Sequence, residues 1–279
     1  MYDQLSERNY QRLAELVQGH VGIRLPPTKR TMVEGRLRKR VRALGLSGLD
    51  EYCRTLFERG ELKNEFVHLV DLVTTNKTDF FREAEHFDFL RTEALPALLG
   101  ARASRGDQHI KIWSAACSNG AEPYTLAMVM ADCALRFTGL RFSILGTDIC
   151  TEVLDQAVLG IYPEDMMQPV PAELRRRYVM RARNPARRQA RIVPELRRHV
   201  RYRHLNLMDA AYPADRDIDI IFCRNILIYF DRPTQHAVLE RLCSHLHPGG
   251  YLFLGHSESA AGGNLSQMRS VAASVLRKV

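Results

Sequence analysis

IKIWSAACSNGAEPYTLA, residues 110–127, sets the reading of the whole chain. Ile110–Trp113 is a short apolar run of strand length, and the residues that follow as far as Ala121 are all small apart from Asn119. Pro123 then stands in the first turn of a helix, where a missing backbone N–H does no harm. Small side chains let a ligand approach the backbone, and in an open α/β sheet the ligand crevice lies beyond the C-terminal ends of the strands. The same grammar continues in FSILGT (142–147), IDIIFC (218–223) and YLFLG (251–255). Helices are expected between them at about 123–136, 151–159 and 233–246, the last stopped by His247-Pro248-Gly249-Gly250. Short apolar runs alternating with helical segments indicate a parallel sheet with crossover helices.

Upstream of this frame the chain reads as helical. Tyr10, Leu13, Ala14 and Val17 repeat at helix spacing, as do Phe66, Leu69, Val70 and Val73. Between them Pro26-Pro27-Thr28 supplies a break and a candidate N-cap for a basic helix whose apolar face is Val33, Leu37, Val41 and Leu44. Arg36, Arg38, Lys39 and Arg42 lie a quarter turn or more from that stripe and are expected to form a cationic outer face, either merely solvated or facing an acidic partner. Residues 174–203 depart from βα alternation: they carry twelve arginines against one glutamate, with short alternating pieces (YVMRAR, ARIVP, HVRYR) around an Asn184-Pro185 turn. They read as a small antiparallel insertion.

With 279 residues, 46% of them apolar, the chain can bury the core of one or two domains. No run of about 18 apolar residues occurs, and MYDQLSERNY lacks the pattern of a signal peptide, so a cytoplasmic protein without membrane insertion is expected. Six scattered cysteines without a Cys-x-x-Cys pair argue against zinc or a disulfide framework and for buried thiols. The net charge of +8 suits a partner with an acidic surface. Asp148 closes the second strand, where a carboxylate can accept hydrogen bonds from ribose hydroxyls; the alternative is that it only caps the helix starting at Thr151. Gly120 alone is far from a full Gly-rich fingerprint.

Six segments in order, TNKTDFFRE (75–83), WSAACSNGAEPYTLA (113–127), GTDI (146–149), LNLMD (205–209), FCRNILIYF (222–230) and PGGYLFLGHSES (248–259), resemble the motif set of the CheR chemoreceptor methyltransferases. The resemblance covers roughly residues 5–275. It implies an α/β fold: an all-α domain over 1–72, a linker over 73–90 contributing to the cofactor site, and a Rossmann-like methyltransferase domain over 91–279 with an antiparallel β-subdomain inserted at about 177–204. It also implies S-adenosylmethionine as donor and S-adenosylhomocysteine as product, with no metal. Carried over by position, the cofactor contacts are Asn76, Thr78, Arg82, Glu122, Asp148, Asn206, Leu207, Arg224 and Asn225, and the groups that orient the acceptor are Arg82 and Tyr229. The acceptor is a glutamate on the cytoplasmic helical bundle of a chemoreceptor, which gives Arg36, Arg38, Lys39 and Arg42 an acidic counterpart; a monomeric enzyme is expected.

Two positions depart from the family pattern: Asn119 replaces an expected threonine and Ala121 an expected glutamate. ARNPARRQAR (182–191) holds none of the glycines found in relatives that dock on a receptor's C-terminal pentapeptide, so that docking is not expected. Without the resemblance, Tyr229 would read as a core tyrosine, and His256 as a brace for the loop after the last parallel strand. Two rivals are weaker. A nucleic-acid methyltransferase would suit the arginines, but Arg224-Asn225-Ile226-Leu227 stands where base-flipping enzymes carry an Asn/Asp-Pro-Pro-Tyr/Phe segment, and no aromatics interleave the basic runs. A non-catalytic cofactor-binding signalling module would keep Glu122 and Asp148 and lose Arg82 and Tyr229.

Overall fold

Four helices open the chain: α1 (Glu7–Val21), α2 (Arg30–Ala43), α3 (Leu49–Phe57) and α4 (Leu62–Val73). Ser6 caps α1 by accepting the Asn9 N–H (3.2 Å), and Gly22 closes it in the left-handed region, φ 77°. A Cβ at Gly22 would lie 2.6 Å from Met208 Sδ and 3.0 Å from the Phe230 ring, so the end of α1 packs against the second half of the chain at a distance only glycine allows. After α5 (Glu85–Phe89), a π turn (Leu90–Ala94) and α6 (Leu95–Arg102), the α/β portion follows. Its elements are β1 (His109–Ala115), α7 (Ala121–Ala134), β2 (Arg141–Asp148), α8 (Thr151–Leu159), β3 (Ile161–Pro163), α9 (Ala172–Tyr178), β4 (Val179–Arg181), β5 (Gln189–Ile192), α10 (Pro194–Arg197), β6 (Val200–His204), β7 (Ile218–Cys223), α11 (Arg232–His245), β8 (Leu246–Leu254), β9 (Met268–Ala272) and β10 (Val275–Lys278). This computed structural model describes residues 3–102, 108–258 and 265–279; Met1, Tyr2 and the Ser259 that ends PGGYLFLGHSES lie outside them.

The large sheet runs β6-β2-β1-β7-β8-β10-β9, parallel from β6 to β8 and antiparallel thereafter. Strand order reverses between β1 and β7, which places the ligand crevice outside their C-terminal ends. Alternation along the strands feeds two apolar clusters, Trp113, Ile221 and Leu252 on one face and Ile112, Ile220 and Phe253 on the other. The helices α1–α4 bury their stripes in the first cluster, so the N-terminal unit and the sheet share one core.

The strand and helix expectations in the α/β frame hold to within a few residues except at the last parallel strand, which begins at Leu246 and takes in the His247-Pro248-Gly249-Gly250 expected as a turn; all six cysteines are buried and reduced. Other readings change. HVRYR is not part of the insertion: as β6 it pairs in parallel with β2 at the edge of the large sheet, Ile144 facing Val200 and Asp148 facing His204. The separate antiparallel sheet is β3-β5-β4, and it starts at Ile161 rather than near 177. Thr28 caps nothing; α2 follows a 3-10 turn (Pro27–Lys29) without a side-chain cap, and Leu44 sits exposed beyond the helix end.

The basic helix α2 differs most. Arg36 does not face outward: its Nη1 donates to Leu72 O (3.0 Å) and Thr74 O (2.6 Å) at the end of α4. Arg38 Nη2 donates to Asp3 O (2.6 Å) and lies 3.6 Å from Glu34 Oε2. Arg40 forks onto Glu65 at 2.9 and 2.6 Å. Glu34 and Glu65 are buried and carboxylates of that kind need counterions; with Arg30 also bonded to Glu34 (3.1 Å), four of the five arginines on α2 are engaged inside the fold. Only Lys39 and Arg42 of the four candidates remain exposed. Among the described residues no helix is long and apolar enough to cross a membrane.

Candidate cofactor and acceptor cleft

A cleft opens where the C-terminal ends of β1, β2 and β7 face the N-terminal helices and the strap 74–78 that follows α4. All nine residues expected at the cofactor line it, as does Tyr229. Lys29, which the sequence did not single out, lines it too.

The loop after β1 is folded tightly, with Ala116 (φ 60°), Ser118 (φ 50°) and Gly120 (φ 86°) all left-handed. A Cβ at Gly120 would come within 2.6 Å of Tyr202 Oη and 2.8 Å of Ala157 Cβ, so this turn cannot carry a side chain there. The Ser118 N–H donates to Asp148 Oδ2 (2.8 Å), and the Cys150 N–H to Oδ1 (2.9 Å). Burial raises the Asp148 carboxyl above the ordinary range, and the backbone donors act against that. A carboxylate offers about four acceptor sites, more than these backbone donors occupy. Capping of α8 belongs mainly to another residue: Asp71 of α4 accepts both the Thr151 N–H (2.9 Å) and the Thr151 hydroxyl (2.8 Å).

Opposite this loop, Arg224 is the hub of a buried charge network. Its Nε donates to Glu122 Oε2 (2.7 Å), and its Nη1 to Arg82 O (2.8 Å), His86 Nδ1 (3.0 Å) and Glu83 Oε2 (3.3 Å). Glu122 Oε1 accepts the Ser114 hydroxyl (2.6 Å), and Glu83 Oε1 accepts the Asn225 amide (3.0 Å). Glu83, His86 and His256 bring one ligand atom each within 4.8 Å of one another, but the Arg224 cation bonds two of the three, so the cluster works as an arginine cage. His256 pairs with Glu85 at 2.6 Å, bracing α5 against the loop after β8.

Several candidates are thus engaged by protein groups. Asn206 donates its amide to His20 O (2.7 Å) and accepts the Met208 N–H (3.0 Å); the Asn76 amide donates to Thr74 Oγ1 and Cys150 Sγ, both 3.3 Å. Arg82 is different. Among the described residues its guanidinium has no acidic partner and donates only to Lys77 O (3.3 Å). Phe81 (φ 54°) and Glu83 (φ 55°) flank it in the left-handed region, a strained setting that surrounding contacts must hold. The Tyr229 hydroxyl has no hydrogen-bond partner among the described residues, and Lys29 Nζ lies 4.8 Å from the centre of its ring.

The description "CheR methyltransferase, all-alpha domain" matches residues 8–74, and "CheR methyltransferase, SAM binding domain" matches residues 76–275. The chain belongs to the CheR methyltransferase family. It is 38% identical to the chemotaxis protein methyltransferase of Escherichia coli (strain K12) over 91% of this chain and 85% of that protein. It is 36% identical to that of Borreliella burgdorferi over 90% and 88%, and 38% identical to chemotaxis protein methyltransferase 2 of Pseudomonas aeruginosa over 91% and 87%. The protein is an S-adenosylmethionine-dependent methyltransferase of chemotaxis. The CheR cleft fits that cofactor: a small-residue loop permits close approach, the Asp148 carboxylate has spare acceptor sites, and Ile149 and Leu207 supply apolar walls.

We expect Asp148→Ala to weaken S-adenosylmethionine and S-adenosylhomocysteine alike by about tenfold or more, since a hydrogen bond to a charged group contributes roughly 1.5–3 kcal/mol. Calorimetric affinities equal to wild type would remove Asp148 from the site. A second expectation concerns acid stability. Burial, then the Arg224 cation, push the His86 imidazole from 6.5 down to about 4, so the folded protein refuses a proton that the unfolded chain accepts. Its contribution is complete above pH 6.5 and is lost as pH falls toward 4, roughly 3 kcal/mol at ~1.4 kcal/mol per pH unit. His86→Gln should flatten the melting temperature between those pH values; an unchanged profile contradicts the assignment.

Proposed function

We propose that this CheR enzyme esterifies glutamate side chains on the cytoplasmic helical bundle of a chemoreceptor, acting in the cytoplasm as a monomer and without docking on a receptor C-terminal pentapeptide. The observation that carries the reading is the sorting of charge in the cleft. Arg224 is neutralised by Glu83 and Glu122, whereas Arg82 has no acidic partner and the Tyr229 hydroxyl no hydrogen-bond partner among the described residues. S-adenosylmethionine supplies the electrophilic methyl group.

A glutamate side chain, with a reference pKa near 4.3, reaches the site already ionised. The chain's task is to hold one carboxylate oxygen toward the donor, and positioning of this kind lowers a barrier by several kcal/mol. Arg82 offers a planar fork matched to a carboxylate, and Tyr229 offers an O–H that can donate to the second oxygen. Both come from segments fixed at the Arg224 cage: the Arg82 carbonyl accepts Arg224 Nη1, and Tyr229 lies five residues beyond Arg224 on a 3-10 turn, Leu227–Tyr229. Asn76, Thr78, Glu122, Asp148, Asn206, Leu207, Arg224 and Asn225 would then hold or frame the donor.

For the receptor, the exposed Lys39 and Arg42 of α2 present positive charge toward an acidic helical bundle. Exposed pairs of this kind contribute only about 0.2–1 kcal/mol each and are screened within about 8–10 Å, so docking should be collective and salt-sensitive. The turn between β4 and β5 carries Arg183, Arg187 and Arg188 and no glycine, which supports recognition independent of a pentapeptide.

Incubation with tritiated donor and receptor cytoplasmic fragments tests the proposal. Label should enter the fragment, leave as methanol in mild base, and enter equally well when the C-terminal tail is removed. Base-stable label on protein, or label on nucleic acid, would contradict it.

A further inference from the structure

We infer that Arg36 is a positioning residue for the cofactor, holding the strap 74–78 against the cleft, rather than a contact for the receptor. This rests on the cofactor site proposed above. Arg36 leaves α2 half-buried and spends its Nη1 on Leu72 O (3.0 Å) and Thr74 O (2.6 Å). Carbonyls at a helix C-terminus lack intrahelical donors, and a guanidinium supplies them. Here it does more than cap, because Thr74 is the first residue of the strap and lines the cleft.

The constraint continues along the strap. Thr74 Oγ1 accepts the Asn76 amide (3.3 Å), which also donates to Cys150 Sγ (3.3 Å) beside Asp148, and Asn76 O accepts the Ser118 hydroxyl (2.9 Å) on the loop after β1. The strap is therefore pinned at one end by α2 and at the other by the loop that bonds Asp148. In this path Thr74, Asn76 and Thr78 line the cleft. Lys39 and Arg42, on the exposed side of the same helix, make no bond to the strap among the described residues.

The test titrates S-adenosylhomocysteine into full-length wild type, Arg36→Ala, Arg36→Lys and the double variant Lys39→Glu/Arg42→Glu, well below each protein's measured melting temperature. Arg36→Ala should raise the cofactor Kd tenfold or more, with Arg36→Lys recovering part of it because an ammonium can still donate to the two carbonyls. The double variant should keep the wild-type cofactor Kd and raise the receptor KM. If Arg36→Ala does not fold, Arg36→Lys carries the test: a Kd two- to fivefold above wild type is expected. A cofactor Kd within error of wild type in either folded Arg36 variant, with a raised receptor KM, overturns the inference. Failure of wild type itself to bind would instead overturn the cofactor site.

Discussion

The Arg224 guanidinium, buried at the end of β7 and clamped between Glu122 and Glu83, is the interaction on which the rest of the cleft depends. A buried cation must be paired and hydrogen-bonded to be tolerated, and it recruits partners from two places in the chain. Glu122 comes from the first turn of α7; the others come from residues 82–86, with His86 in the first turn of α5, Glu83 just before it, and the Arg82 carbonyl on the residue between two left-handed neighbours. Bonding that carbonyl inward fixes the backbone at Arg82, whose own guanidinium has no acidic partner among the described residues. The network thus turns one arginine into structure, and the other is the one proposed above to receive the acceptor carboxylate.

How far the sequence announced this differs from residue to residue. The parallel strands and the position of Asp148 at the cleft end of β2 were legible because strand length, small residues after a strand and a terminal carboxylate are local signals. β6 was misplaced because Arg201 and Arg203 alternate along an edge strand, which looks the same in sequence as an antiparallel hairpin. β3, three residues long, offers no alternation to detect. The basic helix misled for a related reason: helical period says which way a Cβ points, not where a long guanidinium ends, and Arg36, Arg38 and Arg40 turn back to buried carboxylates and helix-end carbonyls. Asp71 and Lys29 went unnoticed because their partners, Thr151 and Tyr229, are far away in sequence and no pattern joins them.

The same long-range contacts make the two halves of the chain one machine. Val17, Leu37 and Leu69 share an apolar cluster with Trp113 and Leu252, Asp71 caps α8, and Asn206 holds the end of α1 through His20 O. The all-α portion supplies one wall of the cofactor cleft as well as the exposed Lys39 and Arg42. Helix α2 both holds the start of the strap through Arg36 and carries the exposed Lys39 and Arg42, so the two proposed contact surfaces are tied to one rigid element.

The central claim is that the acceptor carboxylate arrives ionised and is held, not deprotonated. His86 titrates near pH 4, and phenol and guanidinium groups ordinarily titrate near 10 and above 12. The direct measurement is therefore kcat for receptor methylation at saturating substrates as a function of pH. A profile flat within about twofold from about pH 7 to 9 is expected, and a step or bell with an apparent pKa inside that window would contradict this by revealing a general base.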